Sequence, residues 1–289
     1  MTAAPDPDRV ALLVAEVRKA PKSRHVFPPF IAERCVEEIR RRGGTNREIV
    51  KRVKRSLHQV GGAYLTPPPR YDRLLASLAN ASPGPEREAV VRDLIGGHAS
   101  MRERTSALDD YYPALFDGLA IGGTSIDGTD ATVLDLACGL NPLARSLIPA
   151  DITDYLACDL YLDMLDFVAE ASSLLGFPVE TFPWDLVAGP PPRHAAVVLL
   201  LKTLPCLDQL DPTAGRRLLT GLAMRSDHLL VSYPVQSLGG AEKGMRDNYS
   251  ASFRSLVRDV ARNVETEAEL TVTPLDLPAE LGYRITFTR

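Results

Sequence analysis

The chain predicts an α/β fold, a Rossmann-like sheet of seven strands wrapped by helices and preceded by an all-helical N-terminal domain. Two observations lead there. Residues 1–112 contain no convincing alternating strand, whereas from Thr132 onward short apolar runs alternate with helical stretches, the signature of a doubly wound sheet. In addition, the twelve residues TVLDLACGLNPL at 132–143 read as a buried strand, a tight turn on one glycine and a helix start. The predicted domains are therefore a helical unit over 1–112 and a sheet unit over 113–289, entered through the Gly-rich segment DGLAIGGTSIDGTDA at 117–131.

The clearest helix of the first unit is TNREIVKRVKRSLHQVGGAY, residues 45–64. At 100° per residue Ile49, Val50, Val53, Leu57 and Val60 share one side, and Arg47, Lys51, Lys54, Arg55 and His58 share the other. Gly61 and Gly62 stop it, and TPPPR at 66–70 is a connector. Charge follows the same division. Residues 1–70 hold 15 Lys and Arg against 7 Asp and Glu, a balance of +8, so within a total of −4 the remainder carries −12. A basic arm on an acidic body implies that a polyanionic substrate is captured by the arm. With Arg40, Arg41 and Arg42 just upstream, the basic helix face reads as an RNA-phosphate surface, the alternative being a face that is merely solvated.

In the second unit the strand candidates are 132–137, 154–158, 179–182, 195–201, 228–232, 267–273 and 283–288. Val133, Leu134, Leu136 and Ala137 make the first a nearly continuous apolar run, as expected of a parallel strand covered on both faces. Gly139 lets the following turn pass close to a ligand. Asn141 suits a helix N-cap and Pro142 the first helical position, so the helix LARSLI is expected straight after the turn. A dinucleotide-binding turn needs further glycines so that backbone can approach a pyrophosphate. One glycine with Asp135 in the strand better suits S-adenosylmethionine, which carries no phosphate, with Asp135 acting on its cationic methionine end through water or a nearby amide.

Ligands of such sheets lie outside the C-terminal ends of the strands, which selects the polar residues to inspect. Asp159 ends the second strand, where a carboxylate accepts hydrogen bonds from both ribose hydroxyls, and it also suits the N-cap of the helix that follows. Asp185 is placed to accept from an adenine amino group with Leu186 beneath the ring, a plain loop aspartate being the other reading. Trp184 either stacks on a base or, as is commoner, is structural. Lys202 follows the apolar run AVVLLL and points toward the reaction face, against the alternative of a solvated strand-end lysine.

The apolar fraction of 45% is ordinary for a globular chain, and no run of about 18 apolar residues exists. The N-terminus MTAAPDPDRV has neither a basic nor an apolar leader region, so export and membrane spanning are not expected. Cys35, Cys138, Cys158 and Cys206 are scattered, which argues against a disulfide framework or a metal site and for a reducing cytoplasm.

Taken together, KRVKRSLHQVGGAYL at 51–65, HASMRER at 98–104, DLACGLNPL at 135–143, LLLKTLPCL at 199–207, SYPVQSLGG at 232–240 and KGMRDNY at 243–249 resemble one family. It is the 16S ribosomal RNA guanine-N7 methyltransferases that confer aminoglycoside resistance. The resemblance implies a class I S-adenosylmethionine-dependent methyltransferase fold with a reversed final strand, S-adenosyl-L-methionine as cofactor, and 16S rRNA in the assembled small ribosomal subunit as partner, with no membrane and no metal. It implies that Arg104 binds the cofactor carboxylate, that Gly139 lines the methionine pocket with His98, Asp135 and Ala137 about it, that Asp159 holds the ribose, and that Asp185 with Leu186 holds the adenine. Lys202, Ser237, Lys243, Met245 and Glu280 would surround the target guanine, with Lys202 and Glu280 as the catalytic pair. Arg47, Lys51, Lys54, Arg55 and Arg246 would join Ser237, Lys243 and Met245 in contacting RNA. Two other classes compete: a small-molecule methyltransferase whose N-terminal helices form a lid, against which the basic face over 47–58 argues, and a noncatalytic RNA-binding module with a relic cofactor fold, against which intact Asp135, Gly139, Asp159 and Arg104 argue.

Overall fold

The computed structural model describes residues 5–62, 69–119, 131–149, 151–235, 244–263 and 269–288. Six helices come first: α1 (Pro7–Arg18), α2 (Pro28–Arg42), α3 (Asn46–Leu57), α4 (Tyr71–Asn80), α5 (Pro85–Gly97) and α6 (Leu108–Leu115). Among the described residues no strand precedes Thr132. Helix α3 begins where Thr45 and Glu48 cap each other, the Thr45 hydroxyl accepting from the Glu48 N–H and the Glu48 carboxylate accepting from the Thr45 N–H. Ile49, Val53 and Leu57 are buried on one side of it. Arg47, Lys51 and Arg55 are exposed on the other, and Lys54 is half-buried.

The helix is shorter than its periodicity suggests. After Leu57 the backbone widens into a π-helical turn, His58–Gly62. That turn presses Gly61 against Tyr161, where a Cβ would sit 2.7 Å from the tyrosine hydroxyl. Residues of this kind of local widening commonly mark functional sites. The rest of the predicted helix, 63–64, and the first three residues of the TPPPR connector, 66–68, lie outside the described residues.

The sheet contains β1 (Thr132–Leu136), β2 (Asp154–Asp159), β3 (Glu180–Pro183), β4 (Ala195–Leu201), β5 (Ser226–Pro234), β6 (Glu269–Leu275) and β7 (Glu280–Thr288). Their order is β3-β2-β1-β4-β5-β7-β6. Neighbours are parallel except at β7, which runs antiparallel to both β5 and β6. Leu134 of β1 lies level with Leu156 and Val198 on one face, and Val133 with Tyr155 and Val197 on the other, all of them buried, so the centre of the sheet is apolar on both faces. Helices α7 (Leu162–Leu174), α8 (Leu204–Leu210), α9 (Ala214–Leu222) and α10 (Met245–Asn263) complete the layers. All seven strand candidates exist, with β5 and β7 beginning two and three residues earlier than their apolar runs. The linker over 120–130 lies outside the described residues.

One local expectation fails. The segment after the glycine turn is a 3-10 helix, Asn141–Leu147, whose cap position is Leu140 with no side-chain bond. Asn141 is 2% exposed and faces the interior, because two buried donors and a buried carboxylate compete for its amide and win over the local cap.

The helical part docks on the sheet by backbone as well as by core. The Phe27 N–H donates to the Leu160 carbonyl at 2.7 Å, and the Leu162 N–H donates to the His25 carbonyl at 2.8 Å. Tyr71 of α4 stacks on Phe167 of α7 at 5.0 Å. The buried residues of the two parts form one continuous core, which holds the turn over 98–104 against the ends of β1 and β4. Truncation within α3 tests its face assignment: Ile49→Ala should cost about 2–5 kcal/mol of unfolding free energy in urea titration, and Lys51→Ala should change it by no more than about 0.5 kcal/mol.

Candidate active site

A cleft lies outside the C-terminal ends of β1, β2 and β4. The helical part contributes Phe30, Gly61, His98, Ser100, Met101 and Arg104 to its walls, and the sheet part contributes Ala137, Gly139, Asn141, Asp159, Asp185, Leu186, Lys202 and Thr203 among others. Three non-glycine residues of the described chain hold a left-handed backbone: Ala137 at φ 53°, Lys202 at φ 59° and Ala279 at φ 66°. Two line the cleft directly after β1 and β4, and the third precedes Glu280. Such conformations persist only where surrounding structure imposes them, and they cluster at functional sites.

Asp159 sits at the end of β2. Its Oδ2 accepts from the Gly139 N–H at 3.1 Å, and its Oδ1 accepts from the N–H groups of Leu160 and Tyr161. Burial raises its pKa, and these backbone donors pull it back toward the charged form. It thus fastens the Gly139 turn to the β2–α7 turn rather than capping α7, whose cap position is Tyr161. Burial raises the pKa of Asp185, whose Oδ1 accepts from the Val187 N–H at 2.8 Å, with Leu186 beside it. Trp184 lines the cleft, but its indole N–H is committed to the Gly189 carbonyl at 2.9 Å, the structural role.

Gly139 lines the cleft at φ 53°, a backbone region that favours glycine, and a Cβ there would meet the His98 ring at 3.4 Å and the Ser100 hydroxyl at 3.7 Å, ordinary contact distances. His98 is 7% exposed; its Nδ1 pairs with Ser100 Oγ at 2.7 Å, while its buried Nε2 has no hydrogen-bond partner among the described residues. Burial, with Lys202 nearby, pushes its pKa down to about 4, so the ring is neutral at physiological pH.

Arg104 is 1% exposed and meets Glu280 edge-on through Nε and Nη2, while Nη1 donates to Asn141 Oδ1 at 3.1 Å and reaches Met101 Sδ at 3.4 Å. The Tyr111 ring lies 4.5 Å from the guanidinium carbon. Four of the five guanidinium N–H groups therefore have acceptors among the described residues.

Two expected site residues lie behind the wall rather than in it. Glu280, expected beside the target base, is 1% exposed and is enclosed by Arg104, the Tyr111 hydroxyl at 2.7 Å and Lys202 Nζ at 3.3 Å. Burial works to raise its pKa, but the two cations prevail and hold it below the ordinary value. Asp135, expected to act through water or an amide, is 1% exposed, and its Oδ2 accepts from the Asn141 amide N–H at 2.8 Å and from the Tyr155 hydroxyl at 2.9 Å. Burial pushes its pKa up to about 7. Lys202 itself does line the cleft, 8% exposed, with Nζ 3.3 Å from both Glu103 Oε2 and Glu280 Oε1.

The expected RNA contacts divide. Arg47, Lys51 and Arg55 are exposed on α3, Lys54 is half-buried there, and Arg52 of the same helix turns inward to Glu38 and the Gly43 carbonyl. Met245 and the exposed Arg246 open α10. Ser237 and Lys243 lie outside the described residues. Gly61, Tyr161, Phe30, Ser100 and Asn141 line the cleft without having stood out as site residues; Gly61, Ser100 and Asn141 lie within the motifs at 51–65, 98–104 and 135–143, whereas Phe30 and Tyr161 carried no such signal.

A 3-2-1-4-5-7-6 sheet with one glycine turn and acidic residues at the ends of β1 and β2 defines a class I S-adenosylmethionine-dependent methyltransferase, and the cleft residues fit that cofactor: a ring nitrogen at His98 with no partner among the described residues, a glycine turn at φ 53°, and the carboxylates of Asp159 and Asp185. The family model described as Ribosomal RNA methyltransferase (FmrO) matches residues 19–271, and the chain belongs to that family. The 16S rRNA (guanine(1405)-N(7))-methyltransferase of Frankia casuarinae is 40% identical over 255 residues, which cover 86% of this chain and 85% of that one. The protein of the same name from Micromonospora rosea is 35% identical over 290 residues, 99% of each chain. Among solved structures, the 16S rRNA methyltransferase RmtF in complex with S-adenosyl-L-homocysteine superposes with a TM-score of 0.76 at 26% identity, covering 98% of this chain and 100% of that one. Among the described residues no helix is long and apolar enough to cross a membrane, and no group of residues is arranged to hold a metal ion.

The neutral state of His98 has a measurable consequence. Unfolded, the imidazole protonates near 6.5, whereas folded it protonates only near about 4, so between these values the unfolded state binds the extra proton and stability falls as pH falls. The difference in unfolding free energy between wild type and His98→Gln should therefore shift against wild type on acidification through this window, by up to about 1.4 kcal/mol per pH unit. A difference that stays constant with pH would show that the ring titrates equally in both states.

Proposed function

We propose that this chain transfers a methyl group from S-adenosylmethionine to N7 of a guanine in the decoding region of 16S rRNA, on the assembled small ribosomal subunit in the cytoplasm. The observation that carries the reading is a cofactor-fitting cleft with Lys202 at its edge, in a chain whose relatives bear the name 16S rRNA (guanine(1405)-N(7))-methyltransferase. Arg104 would take the cofactor carboxylate, His98 and Gly139 its methionine end, Asp159 the ribose, and Asp185 with Leu186 the adenine. The bound cofactor supplies an electrophilic sulfonium methyl. Guanine N7 already presents a lone pair and needs no proton removed, so a general base is not required and the protein's work is to hold two reactants in line.

Lys202 would orient the base, its ammonium steadied by Glu103 and Glu280 in a strained backbone position. Glu280, behind it, would act as the anion that keeps both Lys202 and Arg104 in place. The target base would have to leave its stack to reach the methyl group. Residues 1–112 would serve as the rRNA-gripping domain and 113–289 as the methyltransferase domain, with Arg47, Lys51, Lys54, Arg55, Ser237, Lys243, Met245 and Arg246 meeting RNA by charge and shape. Methylation adds bulk and positive charge at N7, so a polycationic aminoglycoside loses a hydrogen bond there and meets repulsion.

Expression in susceptible cells should raise aminoglycoside tolerance, and borohydride–aniline treatment of their 16S rRNA should produce a primer-extension stop at a guanine of the decoding region. Lys202→Ala should bind cofactor as wild type does and lose most of the stop and of the tolerance; a stop at an adenine, or undiminished tolerance in the variant, would overturn the reading. Docking is separable from chemistry. Lys51→Glu with Arg55→Glu should weaken small-subunit binding and flatten its salt dependence while cofactor affinity holds; an unaltered salt slope would return this face to ordinary solvation.

A further inference from the structure

Asn141 abandons a cap position for which its sequence context suits it, and the bonds it makes instead run to both halves of the molecule. Its Oδ1 accepts from Arg104 Nη1 at 3.1 Å and from the Tyr112 hydroxyl at 2.8 Å, both in the segment that precedes the sheet. Its Nδ2 donates to Asp135 Oδ2 at 2.8 Å, with the Tyr155 hydroxyl at 3.4 Å, both in strands of the sheet. Donors face the oxygen and a carboxylate faces the nitrogen, so only one orientation of the amide satisfies all partners. The residue is 2% exposed, lines the cleft and stands two places beyond Gly139.

This arrangement completes the hold on Arg104. Glu280 engages one edge of the guanidinium through Nε and Nη2, and Asn141 engages Nη1, so plane and tilt are both set before a ligand arrives. Preset donors spare a ligand the cost of ordering them. We propose that Asn141 is the positioning residue that aims Arg104 at the carboxylate end of the cofactor, with Tyr112 transmitting to that aim the docking of the helical part on the sheet. The proposal rests on the reading of Arg104 as the carboxylate-binding residue. Tyr112 is itself 0% exposed and edge-on to Tyr111, whose hydroxyl holds Glu280, so α6 supports both edges of the guanidinium.

The test compares two probes by calorimetry: S-adenosyl-L-homocysteine, which carries the amino-acid end, and 5′-methylthioadenosine, which shares the adenine, ribose and sulfur and lacks it. Asn141→Ala should weaken S-adenosyl-L-homocysteine by about 10- to 100-fold, the range for a lost hydrogen bond to a charged group, and 5′-methylthioadenosine by less than about 3-fold. Tyr112→Phe should show the same selectivity at smaller amplitude. Asn141→Asp guards against a variant that fails to fold, because it keeps the acceptor for Arg104 and Tyr112 and sets a second carboxylate against Asp135, beside the hydroxyl of Tyr155. One shared proton then replaces the amide donor, so its affinity for S-adenosyl-L-homocysteine should recover as pH falls from 8 to 6 while that for 5′-methylthioadenosine stays flat. Equal losses for both probes in Asn141→Ala, or no loss for either, would overturn the proposal. If Arg104→Lys leaves the preference between the probes unchanged, the underlying reading of Arg104 fails; if Arg104→Lys shifts it and Asn141→Ala does not, the positioning role alone fails.

Discussion

The ion pair between Arg104 and Glu280 is the constraint on which the rest of the site depends. Its partners lie 176 positions apart in sequence and each is 1% exposed, so both charges have left water almost completely. Burial of this kind is sustained only when geometry is good and the remaining polar sites are filled. Here they are, by the Tyr111 hydroxyl, Asn141, Lys202 and the tyrosine ring beneath the guanidinium. Loss of either partner would strand the other charge in the interior, typically a cost of about 3–5 kcal/mol. The pair therefore works less as a source of stability than as a fixed point joining the 98–104 turn to the first residue of β7.

From that point the cleft takes its shape. Lys202 shares the Glu280 carboxylate and is held at φ 59° after β4, while Ala279 adopts φ 66° to deliver Glu280 inward. Left-handed non-glycine residues cost on the order of 1–3 kcal/mol each, and at the ends of β1 and β4 that strain is set against the packing of a continuous core. On the other side of the cleft Asp159 binds two backbone turns together, so the glycine turn is braced from both flanks. The outcome is a largely preformed cleft, as a reaction governed by alignment of two reactants requires.

His98 and Asp135 show how burial, not residue type, sets the character of such a site. One group is pushed down to about 4 and the other up to about 7, in both cases because the low-dielectric interior disfavours the charged form. Cations and anions survive here only in company: Arg104 and Lys202 around Glu280, with Glu103 at the rim.

What the sequence determined by itself was local and periodic. The apolar runs of the seven strands, the face of α3 that buries Ile49, Val53 and Leu57, the glycine turn after β1, and the carboxylate closing β2 are all legible because each depends on neighbours a few positions away. The rule that ligands lie beyond the strand ends, with the motifs that resemble the rRNA methyltransferase family, extended that reading to Arg104, Asp185 and Lys202. What only the tertiary structure decided was which polar groups face the cleft and which lie behind it. Asn141 looked like a cap and is an interior junction, Glu280 stands behind Lys202 and Arg104, Asp135 acts on the amide of Asn141, and Gly61 closes on Tyr161 after a π-helical turn. Each of these is set by partners that the sheet topology and helix docking bring together from distant positions, and a buried polar group must satisfy those partners before it satisfies any local preference.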